Sequence, residues 1–307
     1  MSGIRKINNL FLSKVPSLVF NLLTTQNQVF IQCDESNPKS NKNHQSIEII
    51  FKTIPSLEHM NKVLSSSKFK NWFLGNWRNE AVYHTMIHID SFTMFGPNNV
   101  GFIYANGNFR YQEDDTHVPS ISFLRGGAVA VLFLMRIPEK TGTYTLLVKQ
   151  YRVPVAKTFI ELVAGMLDGS HNFCGVAAKE IKEETGISVI DSDLEPFCSI
   201  APSPGGCDEE IDIFTCRMNI TQEAFDFLQN KLVLNREGGE NEKITLIMGE
   251  IDELYNQLTR NGYAVDAKFL SAYPAHLLTK NCSYKTKPTI RLQTDEDGTQ
   301  CAVVERN

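Results

Sequence analysis

The segment Ala128-Val-Ala-Val-Leu-Phe-Leu-Met135 contains no polar residue. A strand with one face in water alternates apolar and polar side chains, so an unbroken apolar run must be covered on both faces. The run falls far short of the ~20 residues of a transmembrane helix. It is therefore expected at the centre of a sheet with helices on either side. Flanking signals agree: Pro138 to Gly142 forms a turn, Tyr144 to Gln150 returns as a partner strand, and Phe159 to Val163 reads as a third. Residues 174–185 read as a helix, ended by Gly186 where a left-handed cap is favoured. Further strands are expected near 195–200, 211–218 and 243–248, and helices near 222–232, 251–258 and 266–278. Strands interspersed with helices predict an α+β fold with a mixed sheet packed between helices.

At ~150 residues per domain, a chain of 307 residues has room for a second unit. Leu57, Met60, Val63 and Leu64 recur at helical spacing, and Phe69, Trp72 and Phe73 form a second apolar cluster. Residues 81–95 and 100–104 read as strands about the turn Gly96-Pro97-Asn98-Asn99. Residues 47–122 are thus a small α+β unit ahead of a main domain at 123–280, and 281–307 is expected as a loosely held polar tail. Residues 34–46 are polar enough to be a linker. The first 33 residues carry Arg5, Lys6 and Lys14 and no acidic residue, so the 1–46 extension is compatible with an organelle address. The cytoplasm is the expected location, with mitochondrion or plastid if that address is used.

With 30 Lys+Arg against 35 Asp+Glu, the net charge of −5 argues against nucleic acid or an anionic membrane as partner. A phosphate ligand would need positive charge supplied locally, by a few arginines or by a metal. Seven scattered cysteines with no C-x-x-C pair indicate reduced thiols, not a zinc site or a disulfide framework.

On the helix expected at 174–185, Glu180, Glu183 and Glu184 fall within a sector of about 100°. Ala177, Ala178 and Ile181 form the packing face beside that sector. Two readings of the carboxylates stay open. Either they form a solvated face relieved by Lys179 and Lys182, or they hold a hard divalent cation, for which oxygen ligands suit Mg²⁺ or Mn²⁺ better than zinc.

Gly165, with Lys179-Glu180-Ile-Lys-Glu183-Glu184-Thr-Gly186-Ile187 following, resembles the Nudix box, G-x5-E-x7-R-E-U-x-E-E-x-G-U. Two positions depart from it. His171 stands in place of the first Glu, and Lys179 in place of Arg, which keeps the charge but loses the bidentate fork. Phe123-Leu-Arg125-Gly126-Gly, Gln150-Tyr-Arg152-Val-Pro154, Glu161-Leu-Val-Ala164-Gly165 and Ser203-Pro-Gly-Gly206-Cys-Asp-Glu-Glu210 resemble the ADP-sugar diphosphatases within that family, notably the plant-type ADP-glucose pyrophosphatases. The similarity runs from about Phe69 to Leu278. It implies a Nudix α/β/α sandwich with a mixed sheet, preceded by a small β-rich N-terminal domain.

The resemblance also implies a function. ADP-sugars, ADP-ribose and ADP-glucose among them, would be hydrolysed to AMP and a sugar phosphate by metal-activated water. Glu180, Glu184 and the carbonyl of Ala164 would ligate Mg²⁺ or Mn²⁺, with Glu183 beside them. Arg125 and Arg152 would grip the phosphates, Glu161 would lie near adenine and metal, and Ser203, Gly205 and Gly206 would line the substrate. Glu240 or Glu242, on the Gly238-Gly239 loop, would supply a base or a further ligand. His171 is expected as a structural or exposed loop residue, and Cys207 is not expected as a nucleophile, because the family chemistry uses water. The same resemblance implies a homodimer built through residues 47–122, with Asp208–Glu210 acting across subunits. The departures at His171 and Lys179 motivate an alternative, a catalytically weak Nudix module that binds a nucleotide as sensor or partner-interaction domain.

Overall fold

The structure, a computed structural model, describes residues 23–25, 28–32, 46–53, 55–167, 173–229, 231–235, 242–260, 265–279 and 283–306. The chain divides into two compact units. One comprises Met1–Gly126 with Ser203–Glu209, the other Gly127–Pro202 with Glu210–Asn307.

The first unit begins with strands β1 (Leu23–Thr25), β2 (Gln28–Gln32) and β3 (Ser46–Phe51) and helices α1 (Leu57–Ser65) and α2 (Ser67–Arg78). It continues through β4 (Val82–Phe95), β5 (Asn99–Tyr111), β6 (His117–Val118) and β7 (Ser122–Leu124). The sheet order is β1-β2-β3-β4-β5-β6, with β7 also on β5. Only the β3–β4 pairing is parallel among these described strands, and α1 and α2 lie in the connection that such a crossover needs. Both helices start at a serine cap: Ser56 Oγ accepts from His59 N at 3.2 Å, and Ser66 Oγ from Phe69 N at 3.2 Å. Their apolar residues Met60, Val63, Phe69, Phe73 and Trp77 bury against Ile47, Ile49, Phe51, Ile87 and Ile89.

The second unit contains β8 (Ala128–Arg136), β9 (Tyr144–Arg152), β10 (Lys157–Glu161), β11 (Val163–Met166), α3 (Phe173–Thr185), β12 (Leu194–Ile200) and β13 (Ile211–Ile220). Then follow α4 (Gln222–Leu228), β14 (Leu232–Asn235), β15 (Glu242–Glu250), α5 (Ile251–Arg260), α6 (Ala267–Thr279), β16 (Thr289–Thr294) and β17 (Gln300–Glu305). Sheet order is β14-β15-β9-β8-β13-β16-β17, with β10 on β9, β11 on β8 and β12 on β13. The sheet is mixed: β13 runs parallel to β8 and β16, and the other pairings are antiparallel. As expected from its unbroken apolar run, β8 is buried on both faces. Val129, Val131, Phe133 and Met135 enter one core with Ala177, Ile181, Ala224 and Leu228 of α3 and α4. Ala128, Ala130, Leu132 and Leu134 enter another with Ile251, Leu258, Phe269, Ala272 and Ala275 of α5 and α6. Helices therefore cover the sheet on both sides.

Three expectations need correction. The unit expected at 47–122 takes in β1 and β2, which lie in the expected extension, and Ser203–Glu209 from the expected main domain, because β2 pairs with β3 and the 203–209 loop bonds to Phe123, Arg125 and Gly126. The strand read as Phe159 to Val163 breaks at Leu162, so that β10 pairs β9 while β11 moves to β8. The residues read as a loose tail form the β16–β17 hairpin, whose Ile290 and Ala302 are buried in the core with Ile220 and Leu228. Polar composition concealed that alternation. Among the described residues no helix is long and apolar enough to cross a membrane.

Candidate functional site

Strand β11 and helix α3 assemble the carboxylate face. Gly165, on β11, pairs with Val129 of β8. A side chain at Gly165 is excluded by the carboxylate of Glu180, which occupies the space a Cβ would take. Glycine is needed here for close approach, because its φ is not among the positive values. The helix is aligned by Ala177 and Ile181 packed in the core, and it ends at Gly186 with φ +79° and Gly186 N donating to Lys182 O at 2.9 Å. Glu184, one turn from Glu180, is buried, and Glu183 is ion-paired with Lys179 at 3.2 Å. Thus lysine in the box's arginine position still reaches the glutamate four residues on.

Those residues fit a hard cation in donor chemistry: two carboxylates, one of them buried, on a helix facing the strand that carries the Ala164 carbonyl. Among the described residues, no group of three or more His, Cys, Asp and Glu side chains converges as a metal site would. Glu240 and His171 lie outside the described residues, and of Glu242 only the backbone, at the start of β15, lies within them.

A second cluster in the same unit joins Arg152 to Glu161. Arg152 donates from Nε to Glu161 Oε1 at 2.7 Å and from Nη2 to Oε2 at 3.1 Å, the forked geometry that arginine allows. Lys268 Nζ reaches the same Oε2 at 3.1 Å and Asp266 Oδ1 at 2.9 Å. Asp266 in turn accepts from the backbone of Leu162 (3.4 Å), Lys268 (3.2 Å) and Phe269 (3.3 Å), capping α6 and holding the break between β10 and β11. Burial alone would raise the Glu161 carboxyl, but Arg152 and Lys268 outweigh it and hold it below the ordinary value. For Lys268, burial alone would lower the ammonium, and Asp266 and Glu161 prevail to raise it. Sequence reasoning did not find Lys268 or Asp266. A helix cap at Asp266 was detectable, but nothing local ties Lys268 to a glutamate 107 positions away.

The remaining expected residues, apart from Glu210, lie in the first unit. Asp208 Oδ1 accepts from Arg125 N at 2.7 Å and Gly126 N at 3.1 Å, where Gly126 has φ +81°. Arg125 Nη1 pairs with Glu209 Oε1 at 3.1 Å. Phe123 N donates to Gly206 O at 2.8 Å, and the Ser203 carbonyl accepts from Gly206 N (3.2 Å) and Cys207 N (3.0 Å), which closes the turn. A Cβ on Gly205 or Gly206 would meet nothing within 4 Å. Burial pushes the Cys207 thiol up, as befits an inert cysteine. Asp208 and Glu209, expected to act across subunits, both have partners within their own unit.

No family model matches the chain. Over 225 residues it is 38% identical to Nudix hydrolase 14, chloroplastic, of Arabidopsis thaliana, covering 67% of this chain and 69% of that protein. The chain belongs to the Nudix hydrolases. This Nudix hydrolase is also 25% identical to an ADP-ribose pyrophosphatase of Saccharomyces cerevisiae, over 60% of its own length and 78% of the relative's. To an ADP-ribose pyrophosphatase of Bacillus subtilis it is 28% identical, over 45% and 70%. The crystal structure of an ADP compounds hydrolase covers 65% of this chain and 94% of that chain, at 14% identity and a TM-score of 0.47. In this Nudix hydrolase the box glycine and the second, third and fourth acidic positions are all retained, as Gly165, Glu180, Glu183 and Glu184.

Proposed function

We propose that the chain hydrolyses the diphosphate bond of ADP-sugars, ADP-ribose and ADP-glucose, to AMP and a sugar phosphate. The observation that carries this reading is the approach of the Glu180 carboxylate to Gly165, which sets the retained box on β11 and α3. ADP-ribose pyrophosphatases among the relatives support the substrate class. Glu180, Glu184 and the Ala164 carbonyl would hold Mg²⁺ or Mn²⁺, which when bound polarises a phosphoryl oxygen and acidifies a water. The protein's own residues do the rest. Arg125 and Arg152 bind phosphate oxygens, and Ser203, Gly205 and Gly206 contact the substrate. Glu161 holds the Arg152 guanidinium until substrate arrives. Glu183, steadied by Lys179, stands beside the metal ligands, and one of Glu240 and Glu242 takes the proton from the attacking water at a carboxylate oxygen while the other is a further ligand. A homodimer belongs to the same proposal, and sedimentation that finds a fully active monomer overturns that part.

The test is AMP release from ADP-ribose and ADP-glucose at millimolar Mg²⁺. Glu184→Gln is expected to lower kcat by about a hundredfold, because the lost carboxylate weakens stabilisation of developing charge. Tight ADP-ribose binding without turnover would instead establish a nucleotide-binding module.

A further inference from the structure

We propose that Lys268 is a positioning residue of the substrate site, holding the charge of Glu161 so that Arg152 can leave that carboxylate for a phosphate oxygen of the substrate. This deepens the ADP-sugar reading and rests on it. Three cationic and anionic groups in a row create the problem that Lys268 solves. The Glu161 side chain is 5% exposed, and Arg152 grips it through two hydrogen bonds. An arginine so held offers a phosphate only part of its donor fork. To turn its Nε–Nη2 edge to a diphosphate it must release Glu161, and a buried carboxylate stripped of its only cation is strongly unfavourable. Here it keeps a second one, since Lys268 Nζ lies 3.1 Å from Glu161 Oε2.

Exposure separates the two roles. The Arg152 side chain is 40% exposed and reaches outward, whereas that of Lys268 is 14% exposed. Lys268 is also tethered from behind by Asp266 Oδ1 at 2.9 Å, and Asp266 is locked by the backbone amides at the start of α6. One cation can therefore move and the other cannot. The same geometry predicts coupling: with a neutral amide in place of Glu161, no charge is stranded when Arg152 departs, and Lys268 loses its importance for binding.

The experiment measures KM and kcat for ADP-ribose, with its Kd by calorimetry in the absence of divalent metal, in native protein, K268M, K268R, E161Q and E161Q/K268M. K268M is expected to raise KM and Kd about tenfold while kcat changes far less, because binding is taxed and the chemical step is not. K268R, which keeps the cation, recovers most of that loss. In the double variant KM returns to that of E161Q alone. This variant also removes the charge of Glu161, and Asp266 keeps its three backbone amides, so it remains informative if K268M fails to fold. KM and Kd of K268M within about twofold of native overturn the proposal, as does a rise that E161Q does not relieve, which is the additive pattern of a purely structural lysine. Native protein that binds ADP-ribose without hydrolysing it overturns the functional reading alone, and native protein that does neither overturns both.

Discussion

Gly165 and Gly206 illustrate two different demands on a glycine. At Gly165 the demand is for space, since the Glu180 carboxylate fills the position of a Cβ. Gly165→Ala must push Glu180 away or bend β11, and overpacking of this kind costs roughly 1–3 kcal/mol. The expected outcome is a lower Tm together with a higher Mg²⁺ requirement for turnover. An alanine variant with native metal dependence would show that this close approach does not set that requirement. At Gly206 a Cβ would meet open space, so Gly206→Ala is expected to leave the Tm unchanged, and any rise in KM would report contact with substrate. Asp208 makes a third case. Its carboxylate accepts from the amides of Arg125 and Gly126, and Asp208→Ala would leave both without that partner.

Among the elements, those with strong local signals were legible from sequence. The run at 128–135 demanded burial on both faces, and β8 indeed divides its side chains between two cores. Helix α3 ends where Gly186 supplies the left-handed residue, and its carboxylates share a face because the helical period puts them there. What failed was long-range. The break at Leu162 is set by Asp266, over a hundred positions away, and no window around residues 159–163 contains that information. The grip of Lys268 on Glu161 was hidden for the same reason. The C-terminal hairpin was missed because its strands carry one buried face amid polar neighbours: Ile290 is fully buried, while Arg291, Gln293 and Thr294 are exposed. Ile290→Ala is expected to destabilise the second unit by roughly 2–5 kcal/mol, the range for a large aliphatic truncated in a packed core. Urea unfolding of that variant decides whether the hairpin is part of the core, and an unchanged midpoint would return it to the status of a tail.

On the scale of the whole molecule, the two units carry different acid sensitivities. In the first, His84 is buried against Phe73, Trp77 and Phe109, with ring centroids 5.7, 6.0 and 4.8 Å away, and neither ring nitrogen has a hydrogen-bond partner among the described residues. Burial pushes its imidazole from 6.5 down to about 4. The folded unit thus resists a proton that the unfolded chain accepts. Stability from this residue is complete above pH 6.5 and falls away as the pH drops toward 4, by at most about 3 kcal/mol. In the second unit Glu161, held below its ordinary 4.5, contributes stability above that value and loses it only as the pH falls through its depressed value. Lys268, raised above 10.5, contributes below that value and loses its share only as the pH rises through its raised value. Between pH 6.5 and 4.5 the titration of these three groups weakens the first unit alone. Both tryptophans of the chain, Trp72 and Trp77, lie in α2, so intrinsic fluorescence reports on the first unit. The urea midpoint followed by tryptophan fluorescence is expected to fall steadily from pH 7 to 5. His84→Phe, which keeps an aromatic ring in an aromatic pocket and removes the titration, is expected to flatten that dependence. A slope that survives in the phenylalanine variant would assign the acid sensitivity of the first unit to other groups.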